Sequence, residues 1–180
     1  LAVNKPRGIV CTEERRERDS IVRFLNYPVR ITYVGRLDKD SEGLLLMTNN
    51  GDIINRMMRA ANKHEKEYKV TVNKPVTDEF LKEMAGGVPI LDTVTRPCQV
   101  EKLGKYKFKI ILTQGLNRQI RRMCEALGYE VKELRRVRIM NIELGNLKPG
   151  EYRKVTDQEL NELYELIRDS KSETTPWNNN

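Results

Sequence analysis

Short blocks of hydrophobic and polar residues succeed one another along this chain, with the periods of both strands and helices. Residues 44–47 are continuously apolar, which predicts a central strand buried on both faces. Residues 106–112 alternate between apolar and polar, which predicts a strand with Tyr106 on its buried face, paired in a hairpin around Gly104. Further strands are predicted at 1–3, 9–12, 31–34, 67–72 and 96–103, and a strand-rich segment at 131–144.

Helix signals occur between the predicted strands. Thr156 and Glu159 have the spacing of a capping box, followed by apolar residues at helical intervals that include Leu166. Other helices are predicted after Asp19 or Ser20, at Asp52, after Thr77 and over 117–127. Strands outnumber helices, and the connections are too short for regular βαβ crossovers. The pattern therefore predicts an α+β fold with a mixed, largely antiparallel sheet flanked by helices.

The composition and charge of the chain indicate which class of partner it binds and where it is located. The chain has 180 residues and a formal net charge of +7, so a polyanionic partner is favoured. Its three cysteines are far apart without metal spacing, which indicates reduced thiols and a cytoplasmic location. No apolar run approaches the roughly 20 residues of a membrane span. The length suits one domain, or one in two lobes, over 1–168, and we expect the polar segment 169–180 to be disordered.

The densest group of chemically active residues is the turn between two predicted strands at 35–43. Asp38 follows a strand end, two residues after Arg36, where a carboxylate can serve as a nucleophile or base. A structural ion pair is the alternative from spacing alone. Asp40 and Glu42 continue a partial calcium-loop spacing, but Asn49 stands where the bidentate Glu is needed, so no metal site is predicted.

An aromatic residue and several basic clusters accompany this turn. Tyr68 lies in a predicted strand, where it either packs sideways or stacks on a base extruded from RNA. Arg118, Arg121 and Arg122 share one side of the helix predicted at 117–127, as a solvated face or as phosphate contacts. The candidate RNA-binding residues are Lys5, Arg7, Arg36, Asn117, Arg118, Arg122, Arg136 and Arg138.

These motifs together resemble those of a known enzyme family. The run 35–46, Gly-Arg-Leu-Asp-Lys-Asp-Ser-Glu-Gly-Leu-Leu-Leu, is similar to the signature of the RNA pseudouridine synthases of the RsuA/RluB/RluE/RluF branch, and the chain most resembles the RluF type. The supporting motifs, in family order, are Asn-Lys-Pro-Arg-Gly at 4–8, Lys-Glu-Tyr at 66–68, Arg-Gln-Ile-Arg at 118–121 and Leu-Arg-Arg-Val-Arg-Ile at 134–139.

The resemblance implies specific roles. Asp38 would be the catalytic carboxylate, either attacking the sugar or acting as a base toward it. Tyr68 would stack on the flipped base, and Arg121 would pair with Asp38 and keep it ionised. The implied fold is that of the pseudouridine synthase catalytic domain, in two lobes with a central basic cleft. The family often has His where this chain has Arg118.

The implied activity is isomerisation of a uridine in RNA. The expected substrate is 23S ribosomal RNA, with transfer RNA as an open alternative, and we expect a monomer that needs neither cofactor nor metal. A second hypothesis from another class is a non-catalytic RNA-binding module in ribosome assembly. Composition and basic clusters fit both hypotheses, but the second leaves the combination of Asp38, Tyr68 and Arg121 unexplained.

Overall fold

The structure is a computed structural model that describes residues 1–168, so the tail predicted at 169–180 lies outside the described residues. The strands are β1 Ala2–Lys5, β2 Thr32–Val34, β3 Glu42–Thr48, β4 Lys66–Val72, β5 Pro89–Ile90, β6 Thr93–Val94, β7 Gln99–Gly104, β8 Lys107–Leu112, β9 Val131–Ile139, β10 Ile142–Glu143 and β11 Tyr152–Arg153. The helices are α1 Ile21–Leu25, α2 Gly51–Ala60, α3 Asp78–Gly86, α4 Gln119–Ala126 and α5 Asp157–Ile167.

One sheet organises the described chain. Its strand order is β11-β1-β3-β9-β4-β8-β7, with β2 pairing on β3 and β10 on β9. All these pairs are antiparallel except β3 with β9, which is parallel. The strands β5 and β6 form a separate small hairpin. The predicted α+β class with a mixed, largely antiparallel sheet is confirmed.

Three apolar clusters pack against this sheet. One lies between β3 and the helices α2 and α5, and includes Leu44, Met57 and Leu163. A second lies on the other face of β1 and β3, under α1. The third joins β4 and β8 to α3 and α4, with Phe108 and Ile120 among its members. None of the helices in the described part of the chain is long and apolar enough to cross a bilayer.

The parallel contact between β3 and β9 joins the two halves of the sheet. It contains the register pairs Glu42–Arg135 and Gly43–Arg136. Gly43 has φ +110°, and a Cβ built on it would lie 2.2 Å from the Arg136 carbonyl oxygen. Glycine is therefore required here, because any side chain would force the two backbones apart. The following residues 44–47 are buried, which confirms the two-sided strand.

Several local predictions are confirmed. Ser20 caps α1 by accepting a hydrogen bond from the Arg23 amide, and the capping box of Thr156 and Glu159 is complete. Asn50 rather than Asp52 caps α2. Each of these side chains satisfies amides that a helix start leaves without partners, which is why cap signals in the sequence locate helix starts well.

Other local predictions are wrong. Residues 9–12 form no strand, only an isolated bridge between Val10 and Ser20. Tyr106 and Leu166 are exposed because the hairpin turn and the outer face of α5 place them in solvent. The hairpin β5–β6 and the short strand β11 were not predicted, since two-residue strands carry almost no periodicity.

Candidate active site

Asp38 lies in the loop that connects β2 to β3. Leu37 next to it is buried, and its amide approaches the Cys11 sulfur at 3.5 Å. The Asp38 carbonyl accepts a hydrogen bond from the Ser41 amide at 3.0 Å, which closes the turn. The side chain of Asp38 is 25% exposed. The turn is therefore anchored on its apolar side and presents a partly desolvated carboxylate on the other.

Arg118 bridges the two aspartates of this turn. Its Nη1 donates to Asp38 Oδ2 and to Asp40 Oδ1, each at 3.1 Å, and its Nη2 donates to Asp40 Oδ2 at 2.9 Å. Arg118 has φ +48° and ψ +40°, the left-handed conformation, immediately before α4. This is an unfavourable backbone state for a residue with a side chain, and such states concentrate at functional sites. The helix predicted from Asn117 thus begins two residues later, and Arg118 lies outside it.

Among the described contacts, Arg121 binds Asp40 and Ser41 rather than Asp38 itself, although its charge lowers the pKa of Asp38. Arg121 Nη2 donates to the Asp40 carbonyl at 3.0 Å and to Ser41 Oγ at 3.1 Å, and Nη1 lies 3.5 Å from Asp40 Oδ2. Because Arg121 lies in the first turn of α4, its side chain extends beneath the turn and is only 10% exposed. The left-handed residue before the helix, Arg118, is the one that contacts Asp38.

The two aspartates differ in acidity. Burial raises the pKa of Asp38 above its usual 3.8, against the lowering effect of Arg118, and the negative charge of Asp40 raises it further. The hydrogen bonds from Arg118 lower the pKa of Asp40. The site therefore contains one firmly ionised carboxylate, Asp40, beside a more basic one, Asp38.

Tyr68 and Arg136 form the floor beneath Asp38. They are directly opposite each other on β4 and β9, and both are essentially inaccessible to solvent. Burial raises the pKa of Tyr68, and the Arg136 guanidinium opposes that effect. Arg136 also donates through Nε to the Leu44 carbonyl at 2.9 Å and through Nη1 to the Arg36 carbonyl at 3.4 Å. In this arrangement Arg136 is buried and its donors bind carbonyls within the protein, so it presents no surface to RNA.

Lys5 is likewise buried rather than placed on an RNA-binding surface. Its Nζ donates to the carbonyls of Ile9 at 2.6 Å and Pro6 at 3.0 Å. Burial lowers the pKa of Lys5 to about 8, opposed by the nearby acidic groups Cys11 and Asp38. Because β1 is an inner strand of the sheet, a side chain on this face enters the core. Lys5 thus orders the turn that follows β1.

Of the remaining candidate RNA-binding residues, some are bound to partners within the protein and others are exposed. Arg138 is bound by Glu65 at 3.0 Å and Glu67 at 3.4 Å, which offsets its charge. Arg122 donates to the backbone and side-chain oxygens of Asn117 at 3.0 Å. Arg36 and Arg7 are exposed. Among the described residues, Arg36 forms no ion pair, and Arg7 donates only to the Lys132 carbonyl at 3.3 Å.

The Tyr68 ring is closed off from a nucleobase in this structure. The cavity beside Asp40, lined by Arg7, Glu42 and Leu134 among others, measures about 60 Å³, room for about two water molecules. The Tyr68 ring is 1% exposed. A larger cavity of about 370 Å³ lies between β3, α2 and α5, away from the aspartates. A uridine therefore needs side chains at the site to move before its base can reach the Tyr68 ring.

Two residues of the site were not predicted. Asp40 contacts both arginines, and Ser41 accepts from Arg121. Asp40 was considered only as part of a calcium-like spacing. Its position two residues after Asp38 in a closed turn was the available signal, because such carboxylates converge on one side of the turn.

Comparisons with known proteins identify the family. Residues 1–126 match the family model described as RNA pseudouridylate synthase. The chain is 57% identical over 176 residues to the dual-specificity RNA pseudouridine synthase RluF of Escherichia coli strain K12, an alignment that covers 98% of this chain and 61% of that protein. It is 36% identical over 163 residues to ribosomal small subunit pseudouridine synthase A of Yersinia pestis, with 88% and 69% covered.

The fold agrees with these relatives. A crystal structure of pseudouridylate synthase superposes with a TM-score of 0.81 at 34% sequence identity, covering 90% of this chain and 72% of that one. The chain spans 61% of the length of the RluF relatives that it matches.

Proposed function

Because the chain belongs to the RNA pseudouridylate synthase family, we propose that it isomerises uridine to pseudouridine in RNA, and that Asp38 is the catalytic carboxylate. The observation that carries this proposal is the placement of Asp38: a partly desolvated carboxylate of raised pKa, held by one N–H group of Arg118 at 3.1 Å. A carboxylate with these properties is more basic than a solvated one and is aimed by its partner. The expected substrate is 23S ribosomal RNA, with transfer RNA as the alternative.

The reaction replaces one bond to C1′ by another and transfers one proton. The N1–C1′ bond of the uridine breaks, the uracil rotates, and a C5–C1′ bond forms; the proton on C5 is lost and N1 gains one. Asp38 acts on the ribose, either as the nucleophile or as a base. The uridine has to leave its stack to reach a side chain at this depth. Stacking of the base on Tyr68 needs a rearrangement first, since that residue is 1% exposed.

Tyr68 and Arg136 support the site from below. They are paired across β4 and β9, and the hydrogen bond from Arg136 to the Leu44 carbonyl fixes this floor. Once the side chains above it move, the Tyr68 ring offers an aromatic surface for the flipped base. Arg121 holds the turn through Asp40 and Ser41, and thereby acts on Asp38 through the backbone.

Exposed cations would bind the RNA backbone. Arg36 lies in the same loop as Asp38, and Arg7 lines the small cavity beside Asp40. Cations in these places favour phosphate contacts, which position RNA without reading its sequence. We further propose that residues 1–168 form the catalytic domain, with two lobes meeting at β3 and β9, and that the protein acts as a monomer in the cytoplasm.

The test is tritium release from RNA that carries 5-tritiated uridine. Wild type, Asp38→Ala and the control Glu101→Gln are compared on 23S ribosomal RNA and on transfer RNA. Glu101 pairs with Lys109 on the outer strands, at 2.8 Å, so its variant removes an ion pair away from the site. We expect release by wild type and by Glu101→Gln, and release below about one percent of that by Asp38→Ala, a loss of at least about 10²-fold.

The outcomes separate the two hypotheses. The RNA that responds identifies the substrate class. Release that persists in Asp38→Ala would remove Asp38 from the chemistry. RNA binding without release from either RNA would favour the second candidate, the RNA-binding module, for which the exposed Arg7 and Arg36 are the supporting observation.

A further inference from the structure

We propose that Asp40 is a positioning residue for the reaction, because it holds Arg118 so that a single guanidinium nitrogen is aimed at Asp38. This inference rests on the proposed function, and it adds Asp40 to the roles that the resemblance implies for Asp38, Tyr68 and Arg121. Asp40 itself does not touch the reacting atoms in this assignment. It acts through Arg118.

The geometry supports this role. Both oxygens of Asp40 accept from Arg118, at 3.1 and 2.9 Å, so the planar guanidinium is fixed by two parallel hydrogen bonds. Nη1, which also donates to Asp40, is the nitrogen that reaches Asp38. Arg118 is 38% exposed, and an arginine side chain at such a site loses substantial rotational entropy when it is held in one orientation. Asp40 offsets that cost, since Asp38 alone provides one hydrogen bond.

Asp40 is itself held from below. Arg121 contacts its carbonyl at 3.0 Å and its carboxylate at 3.5 Å. Arg121 Nε is a buried donor without a hydrogen-bond partner among the described residues. The terminal nitrogens of Arg121 therefore bind the turn although its third nitrogen stays without a hydrogen bond. Asp40 thus connects an anchored arginine to a more exposed one, and Asp38 receives its hydrogen bond from the exposed one.

The charge of Asp40 has a second effect. The charged or titratable groups that face Asp38 are Arg36 in its own loop, Lys5 on β1, Tyr68 on β4, Arg136 on β9, Arg118 before α4, Arg121 on α4 and Asp40. Asp40 is the neighbouring carboxylate in this group, and it raises the pKa of Asp38. Without it, Arg118 would serve Asp38 alone and the carboxylate would become less basic. A weaker base or nucleophile would follow.

The test compares Asp40→Asn with Asp40→Glu and with the control Asp52→Asn. Asp52 is an exposed carboxylate that pairs with Arg56 on α2 at 3.2 Å. In Asp40→Asn we expect kcat to fall about tenfold or more with KM within about twofold, as for loss of a transition-state interaction. The acidic limb of the kcat profile should shift to lower pH. Asp40→Glu keeps the charge and should keep the limb at its wild-type position, and Asp52→Asn should change neither quantity.

A readout that needs no turnover accompanies the kinetics: NMR titration of the Asp38 carboxyl carbon in wild type and Asp40→Asn. A lower Asp38 pKa in the variant supports the inference. An unchanged Asp38 pKa together with an unchanged kcat, in a variant whose only defect is a lower melting temperature, would reduce Asp40 to a structural residue and overturn it. Wild type without tritium release would instead contradict the proposed function, while the titration still reports on Asp40.

Discussion

Arg153 and Arg118 each hold a carboxylate at hydrogen-bonding distance, but the pKa values of the two carboxylates move in opposite directions. Arg153 binds both oxygens of Glu159, at 2.7 and 2.9 Å, and Glu159 also accepts from the Thr156 amide. The hydrogen bonds from Arg153 lower the pKa of Glu159 to about 2. The pKa of Asp38 is raised, although Arg118 lies 3.1 Å away.

Burial is the largest cause of the raised pKa of Asp38, and the two arginines also divide their hydrogen bonds differently. Arg153 gives both of its terminal nitrogens to one carboxylate, whereas Arg118 gives three hydrogen bonds to two carboxylates, and two of them go to Asp40. Asp38 is also partly buried beside a second negative charge. Two hydrogen bonds from Arg153 thus lower the pKa of Glu159 at a helix start. Burial and the charge of Asp40 leave Asp38 basic, although Arg118 donates one hydrogen bond to it.

The largest expected effect is on Asp38. Asp38→Asn keeps the side-chain shape and should lower kcat/KM at least about 10³-fold, as expected for removal of a catalytic nucleophile or base. Its melting temperature should equal or exceed that of wild type, because a raised pKa means that the ionised group is disfavoured by folding. Tritium release and calorimetry on the same preparations measure both. A variant that loses activity and stability together would contradict the comparison.

A smaller effect is expected at Glu159, where a substitution should lower stability and leave turnover unchanged. Glu159→Gln removes the pair with Arg153 and weakens the capping box at the start of α5. We expect a loss of about 1 kcal/mol, or about 2–4 °C in melting temperature, with turnover unchanged. The matched control is Arg168→Gln, whose partner Glu165 is exposed at the other end of α5. That control should be nearly neutral, and an equal loss in both variants would show that the Arg153 pair has no special value.

The smallest expected effect is in how stability depends on pH. The pKa of Glu159 falls from 4.5 to about 2 on folding, so its contribution is complete above 4.5 and is lost as the pH falls toward 2. Asp38 has the opposite sign: its ionised form opposes folding, and protonation removes this penalty as the pH falls through its raised pKa. Melting-temperature differences between wild type and each variant, measured from pH 7 to 2, should therefore both shrink, starting from opposite signs.

Strong local signals were enough to predict much of the fold. The apolar run at 44–47 and the capping box at Thr156 depend on neighbours in the sequence, and both are confirmed. The turn carrying Asp38 was located for the same reason. The short strands and the segment at 9–12 depend on distant pairing partners, which no local period records.

The burial and contacts of the basic residues could not be predicted from the sequence. Lys5 and Arg136 resemble Arg7 and Arg36 in the sequence, but two are buried and two are exposed. Their burial follows from the order β1-β3-β9-β4, which places particular faces of β1 and β9 inside. Arg118 contacts Asp38 because of a left-handed backbone conformation that helical spacing does not indicate.

The pairing of β3 with β9 also has a consequence for how the protein folds. Glu42 and Arg135 meet across 93 positions of sequence, and only two register pairs form this parallel contact. Closing so long a loop costs entropy before its contacts can compensate, which makes such pairings slow to form. The chain segments that carry Asp38 and Arg118 come together across this contact. During refolding, hairpins and helices should therefore appear first, and the return of catalysis should mark the final step.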